Sequence, residues 1–429
     1  MARESGDGEG VAVTAKVTRR LVPYLFLCYI INYLDRFNIS FAALEMKADL
    51  GLSDAAYGVG AAMFFAGYVT LEVPSNLILV RVGARRWMAR IMITWGVLSC
   101  GMALVTTPAS FYLVRLLLGV AEAGFFPGMI FYLTYWIPAR ERARVLALFL
   151  TSTALAGVVG APVSAALLRM HGVAGLAGWQ WLFLVEGLPA VALGVTTFFC
   201  LPDRPSDARW LDGPERVWLE GRLAMERRAL QRLPRLSLWQ TLTHRRVWHL
   251  CLLYFSIIIS FYGVAFWLPQ IVRTWSGLSS AAASLVSAVP YLVASVSMVV
   301  IARHSDRVGE RRRHVAFTAF AAAAALVLGA LLRQPLAAFC ALCVAAAGIW
   351  STLGPFWSLP TVFLSGTAAA GGIALINSVG NVGGLVGPTL MGVLKQRTEA
   401  FQSGLLVLAG TLLVAGVLGL SVSEGEPQA

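Results

Sequence analysis

The chain alternates long apolar stretches with short polar loops, and each stretch is near the roughly 20 residues that a helix needs to cross a bilayer. Read this way, membrane-spanning helices fall at 21–44, 54–79, 88–106, 109–133, 145–168, 180–201, 247–270, 281–302, 315–333, 336–357, 367–394 and 400–421. The expected fold is all-α and integral to the membrane, with twelve transmembrane helices. The first stretch is interrupted by a polar island, Asn32-Tyr33-Leu34-Asp35-Arg36-Phe37-Asn38. Charges at bilayer depth are costly, so such residues normally face a polar cavity or pair with one another.

Composition agrees with this pattern. Of 429 residues, 58% are hydrophobic and 13% charged, and the mean hydropathy is +0.72. These values exclude a set of soluble domains. The segment 1–20 is polar and Gly-rich, lacks the short apolar core of a removable signal, and is expected to be a cytoplasmic tail ahead of a retained first span. The net charge of +12 is concentrated in alternate loops: Lys16, Arg19 and Arg20; Arg81, Arg85 and Arg86; Arg140, Arg142 and Arg144; Arg303, Arg307 and Arg311 to Arg313. Loops of this kind stay on the cytoplasmic side of a bacterial inner membrane, which puts both termini inside. The dispersed basic residues accompany no nucleic-acid motif.

The six cysteines all fall in or at the ends of apolar segments and are expected to be small packing residues. Cys340-Ala-Leu-Cys343 has redox spacing but no βαβ setting. The five histidines form no metal-ligand spacing, so neither a metal nor an organic cofactor is expected.

At 202–246 the composition turns charged and Pro-containing, as befits a cytoplasmic linker. Asp212-Gly213-Pro214-Glu215 can start a helix, and Val217, Trp218, Leu219, Leu223 and Met225 would form its apolar face on the membrane surface. The linker divides the chain into bundles at 21–201 and 247–422, with a tail at 423–429. The bundles repeat one another. Arg81-Val82-Gly83-Ala84-Arg85-Arg86 recurs as Arg307-Val308-Gly309-Glu310-Arg311-Arg312, and the same offset of 226 residues carries Gly157 and Pro162 onto Gly383 and Pro388. Parallel six-helix halves with a site between them, rocked about that site, are a recurrent secondary-transporter design.

Two further charges belong to the island's chemistry. Arg115 and Glu122 are seven residues apart, which puts them on nearly one helix face about 10 Å apart along the axis. With Asp35 and Arg36 they would make a mutually neutralised cluster, two of each sign. An incoming carboxylate could take a guanidinium from its internal partner, and the abandoned acid would then accept a proton more readily. Arginine suits this exchange because its planar fork holds a carboxylate bidentately and stays charged. Glu72 reads as a gate or loop-anchoring acid beside the basic loop. Glu186 reads either as a helix-pairing acid or as a second proton site.

Several motifs carry a family resemblance. Ser305-Asp306-Arg307-Val308-Gly309-Glu310-Arg311-Arg312 resembles the Asp-Arg-x-Gly-x-Arg-Arg signature of the major facilitator superfamily; the first-half copy has Val80 in place of the Asp. Asn32-Tyr33-Leu34-Asp35-Arg36, Glu72-Val73-Pro74-Ser75-Asn76, Gly83-Ala84-Arg85-Arg86-Trp87 and Tyr135-Trp136-Ile137-Pro138-Ala139-Arg140-Glu141-Arg142 resemble its anion:cation symporter family, and within it the bacterial tartrate, phthalate and hydroxyphenylacetate transporters. The resemblance implies proton-coupled uptake of a small organic carboxylate by a monomer in contact with membrane lipid. A uniporter, exchanger or sensor of the same fold and a sugar-acid symporter are the alternatives.

By the same resemblance, Asp35 and Glu122 match proton-carrying acids, Arg36 a substrate-binding arginine and Arg115 the buried partner that couples them. Tyr33 and Tyr68 match pocket hydroxyls, and Trp357 and Asn377 match binding positions of galactonate-type relatives. Gly354 and Phe356 stand where those relatives have hydroxyl side chains, so Phe356 would add an apolar wall and a polyhydroxylated sugar acid fits poorly. Tyr68 and Trp357 also suit helix packing or an interfacial belt, and Asn377 and Asn381 an interhelical hydrogen bond. Arg81, Arg85, Arg86, Asp306, Arg307 and Arg311 are expected to latch the two halves at a cytoplasmic gate.

Overall fold

The structure is a computed structural model that describes residues 2–232, 243–360 and 366–422; the tail expected at 423–429 and part of the expected linker lie outside the described residues. Its helices are α1 (Ala2–Asp49), α2 (Asp54–Val82), α3 (Ala84–Gly101), α4 (Pro108–Glu122), α5 (Phe125–Leu133), α6 (Ala139–Leu168), α7 (Gly178–Cys200), α8 (Gly213–Arg232), α9 (Arg245–Ala265), α10 (Leu268–Ser276), α11 (Ser280–Val286), α12 (Ala288–Val308), α13 (Arg312–Leu331), α14 (Pro335–Ser351), α15 (Leu353–Ser358), α16 (Gly366–Thr398) and α17 (Gln402–Ser421). Eleven helices or helix pairs among the described residues are long and apolar enough to span a membrane. The expected first span, inside α1, falls short of that measure because Asn32, Asp35, Arg36 and Asn38 dilute its apolar character.

Starts and breaks follow local chemistry. Thr107 and Ser110 form a capping box at the start of α4, with Pro108 in the first turn, where its missing N–H costs nothing. The expected single span at 109–133 is two helices, α4 and α5. Gly124 between them has φ +88°, which disfavours a side chain, and a Cβ there would lie 2.3 Å from Ser75 Oγ. Ser75 satisfies the break by donating to the Ala123 carbonyl at 2.6 Å. The spans expected at 247–270, 281–302 and 336–357 are likewise divided, near Trp267, Ser287 and Thr352.

In the first half α1 packs on α6 and α7, α2 on α4, and α3 on α7; in the second, α9 packs on α16 and α17, and α13 on α14 and α17. The halves meet along two seams, α2 against α16 and α6 against α11 and α12. The 226-residue offset exchanges these seams, so the contact between halves is itself pseudo-symmetric. Backbones approach closely within each half. A Cβ on Gly119 in α4 would stand 1.8 Å from the Phe64 carbonyl oxygen in α2. Gly119→Ala should therefore force the two helices apart, cost about 1–3 kcal/mol and lower the melting temperature of the purified protein by several degrees in a detergent melt; unchanged melting would show that α2 and α4 tolerate the separation.

The polar N-terminal segment does not stand apart from the bundle. It extends α1, buries Val13 and Val17, and lies on α8, where Trp218 faces Gly10. Lys16 donates to Glu215 at 2.6 Å and holds that carboxyl below the usual range. The apolar face expected for α8 is consequently divided: Leu219 and Leu223 are buried, whereas Val217 and Met225 are exposed.

Candidate functional site

The polar island lies in α1, which packs on α6 and α7 of the first half and touches α10 and α11 of the second. Asp35 and Arg36 are neighbours in α1, and consecutive helical residues project about 100° apart, so the two charges point to different surroundings. Asp35 turns into the first half, where it accepts from Ser99 of α3 and from Asn38 Nδ2 at 2.9 Å. Arg36 turns toward the second half. Its Nε donates to Glu122 Oε1 at 2.6 Å, and its Nη1 donates to the Tyr262 hydroxyl of α9 at 3.0 Å. Tyr33, Phe64 and Tyr68 surround the guanidinium with ring centroids 4.9 to 5.2 Å from Cζ. Cation–π contacts of this kind are strongest where water is excluded, and Arg36 and Glu122 are both buried.

The expected four-charge cluster is thus one direct ion pair with two flanking charges. Arg115 shares a helix with Glu122 but reaches the Ala61 carbonyl of α2 at 3.1 Å and lies against the Phe64 ring. Arg115 Nε and Nη1, Asp35 Oδ2 and Glu122 Oε2 are buried without hydrogen-bond partners among the described residues. The site therefore holds unused donors and acceptors of both signs.

Both halves line a small cavity against Arg36. Tyr33 and Tyr68 contribute from the first half, and Tyr254, Tyr262, Trp357 and Asn377 from the second. Its volume is about 20 Å³, room for a single water-sized molecule. Phe356 does not reach it; the ring is buried behind Tyr254, stacked at 4.7 Å. Asn377 lines the cavity, yet its amide donates to Glu72, whose other oxygen accepts from Ser378 at 2.8 Å. Glu72, read as a gate or loop-anchoring acid, is thus buried and joins α2 to α16 across the halves, with no contact to the basic loop among the described residues. Glu186 accepts from Ser164 at 2.8 Å, between α7 and α6.

Sequence reasoning did not find Tyr262 or Tyr254. Arg36 and Tyr262 lie 226 residues apart, the repeat offset, so equivalent positions of the two halves touch at the site. The repeat held the signal: the offset carries the first half's central charges onto Phe261, Tyr262, Ala341 and Gly348. The first half supplies the ions, and the equivalent positions of the second half supply none.

The two ends of the molecule are fastened differently. At the basic end, the ion pairs of the expected gate residues stay within a half or reach the connecting segment: Arg85 with Asp203 at 3.2 Å, and Arg311 with Asp306 of its own loop. Among the described residues no such pair joins the halves there. Arg81, Arg86 and Arg307 lie in the same loops, at the ends of α2 and α12 and the start of α3. At the opposite end, Asp54 of α2 takes Lys47 of α1 and, at 2.9 Å, Lys395 of α16; Lys47 also donates to Gln270 of α10 at 3.1 Å. Gln396 accepts from the Ala55 backbone N–H at 3.0 Å. Here the backbones themselves touch: a Cβ on Gly58 would lie 2.6 Å from the Pro388 carbonyl oxygen, and one on Gly392 would lie 2.5 Å from that of Asp54.

Comparison with known proteins supplies the context. The sequence matches the Major Facilitator Superfamily over residues 25–388. It is 49% identical to a protein of Agrobacterium vitis named "Putative tartrate transporter", over 97% of this chain and 92% of that one. It is 42% identical to the inner membrane transport protein RhmT of Escherichia coli, over 95% and 94% of the two chains. In fold it resembles the xylose transporter XylE of E. coli in a partially occluded inward-open conformation, with a TM-score of 0.76 and 15% identity over 96% of this chain and 100% of that one.

Proposed function

Because the chain belongs to the Major Facilitator Superfamily and is a multi-pass membrane transporter, we propose that it imports a small organic carboxylate together with protons, by alternating access across a bacterial inner membrane. The observation that carries this reading is the Arg36–Glu122 pair beside a cavity lined by both halves. A substrate carboxylate entering there as the halves part and the cavity widens competes with Glu122 for the guanidinium fork. Glu122, once displaced, is free to take a proton, and its unpartnered Oε2 is the position for it. Binding of the anion and uptake of the proton become one event. Arg115 sits about two turns away on the same helix and holds positive charge near both acids, with Asp35 as the second acid behind the site.

The substrate class rests on the lining. Tyr33, Tyr68, Tyr254 and Trp357 give aromatic walls beside Arg36, edged by the tyrosine hydroxyls and by Asn377 and Asn381. This suits a short dicarboxylate or an aromatic acid, and a relative of nearly half identity bears the name of a tartrate transporter. The basic loops would face the cytoplasm.

Tartrate, phthalate, hydroxyphenylacetate and galactonate would be added in turn to cells expressing the protein in weakly buffered medium. Tartrate or phthalate should alkalinise the medium as labelled acid enters. Uptake without a pH change would assign the protein to uniport or exchange. A response to galactonate with none to the other three would overturn the reading of the pocket.

A further inference from the structure

At the basic end, a cavity of about 690 Å³ opens where α1, α7, the start of α3 and the connecting segment meet. Arg19, Arg20, Arg85 and Arg209 line it, with Asp207 as the one acid in its wall. Arg85 is committed to Asp203, and Asp207 accepts from the Arg204 backbone N–H at 3.2 Å. Arg19, Arg20 and Arg209 form no ion pair among the described residues. Three guanidiniums without an ion-pair partner therefore line one cavity whose wall holds a single acid, and an anion seated there would offset their mutual repulsion.

The remaining wall is apolar. Phe198, Phe199, Leu201 and Trp210 contribute to it, and Phe199 is 85% exposed at the end of α7. Exposed apolar side chains continue one turn deeper into the membrane-spanning part, Leu27 on α1 and Val195 on α7. The Tyr24 hydroxyl ties these two helices together by donating to the Leu193 carbonyl at 2.7 Å. A free anion would use the arginines alone, whereas a molecule that is anionic at one end and apolar along its length would use the whole feature.

We propose that this cavity is a binding site for the phosphate headgroup of an anionic phospholipid, with its acyl chains laid along the exposed apolar faces of α1 and α7. Basic pockets between spanning helices are the usual receptors for such headgroups. The site lies in the first half and its connecting segment, apart from the Arg36 cavity, and does not depend on what is transported.

Cys200 supplies the test, because it lines this cavity and is exposed, while Cys340 is exposed elsewhere and Cys28 and Cys251 are buried. The full chain would be placed in nanodiscs of phosphatidylglycerol or of phosphatidylcholine and treated with N-ethylmaleimide, with modification of each cysteine followed by peptide mass spectrometry. Cys200 should react at least about fivefold more slowly in phosphatidylglycerol. Combined Arg19→Gln, Arg20→Gln and Arg209→Gln substitutions should remove that protection. If the triple variant exposes Cys28 or Cys251, showing a lost fold, Arg209→Gln alone is read in its place and should halve the protection or more. Equal Cys200 rates in the two lipids, or protection unchanged in the variants, would overturn the proposal. So would equal protection by inorganic phosphate in phosphatidylcholine discs, which would identify a free-anion site.

Discussion

Glu122→Gln is expected to abolish accumulation of substrate driven by a pH gradient while leaving exchange of labelled for unlabelled substrate largely intact. Glutamine keeps the shape of the side chain and can still accept from Arg36, but it carries neither the negative charge nor the titratable proton. Exchange needs the cavity to open and close with substrate bound and moves no net proton, so it survives. Accumulation should fall to the level set by the substrate gradient alone. The measurement is paired: counterflow and gradient-driven uptake in the same proteoliposomes. Wild-type accumulation by a normally expressed Gln variant would remove Glu122 from the coupling.

Arg36→Lys is expected to raise the concentration for half-maximal uptake by at least about tenfold, the ~1.4 kcal/mol of one lost charge-assisted hydrogen bond. Lysine keeps the charge but replaces a fork that serves Glu122 and Tyr262 together with a single ammonium. Arg36→Ala should be more severe, because it leaves Glu122 buried without its partner, a change that costs about 3–5 kcal/mol in buried pairs. Direct binding measured by titration calorimetry on the purified Lys variant distinguishes weakened binding from slowed conformational change. Unchanged affinity there would show that Arg36 is not a ligand of the carboxylate.

The charges of the site were legible in the sequence because they contradict their surroundings: Asp35, Arg36, Arg115 and Glu122 stand in runs that otherwise suit lipid. The aromatic half was not. Tyr254 and Tyr262 sit in an apolar helix, where an aromatic residue breaks no pattern. Their role depends on which helix face meets the other half, and span prediction leaves that rotation open. The two-helix form of the fourth span escaped for a similar reason, since Ala123-Gly124 is as apolar as its neighbours and only the +88° φ at Gly124 marks the break. Lys47, Asp54, Gln270 and Lys395 lie at or just beyond the ends of four different predicted spans, and only folding brings them within reach of one another. The spans, the internal repeat and the basic loops were legible because length, periodicity and charge counts do not depend on tertiary contact.

The Gly58 and Gly392 contact bears on how the non-basic end works as a switch. Backbone meets backbone there, so bringing the halves together at that point freezes no side-chain rotamers, and parting them recovers no rotamer entropy. The balance between open and shut at this end then falls to the side-chain contacts across it: Lys395 on Asp54, each about one-fifth exposed, Lys47 on Gln270, and Gln396 on the Ala55 N–H. Attraction between partly solvated charges weakens as mobile ions crowd around them. The ionic strength on this side of the membrane thus becomes a quantity the protein reads, and rising salt should tilt this end toward opening.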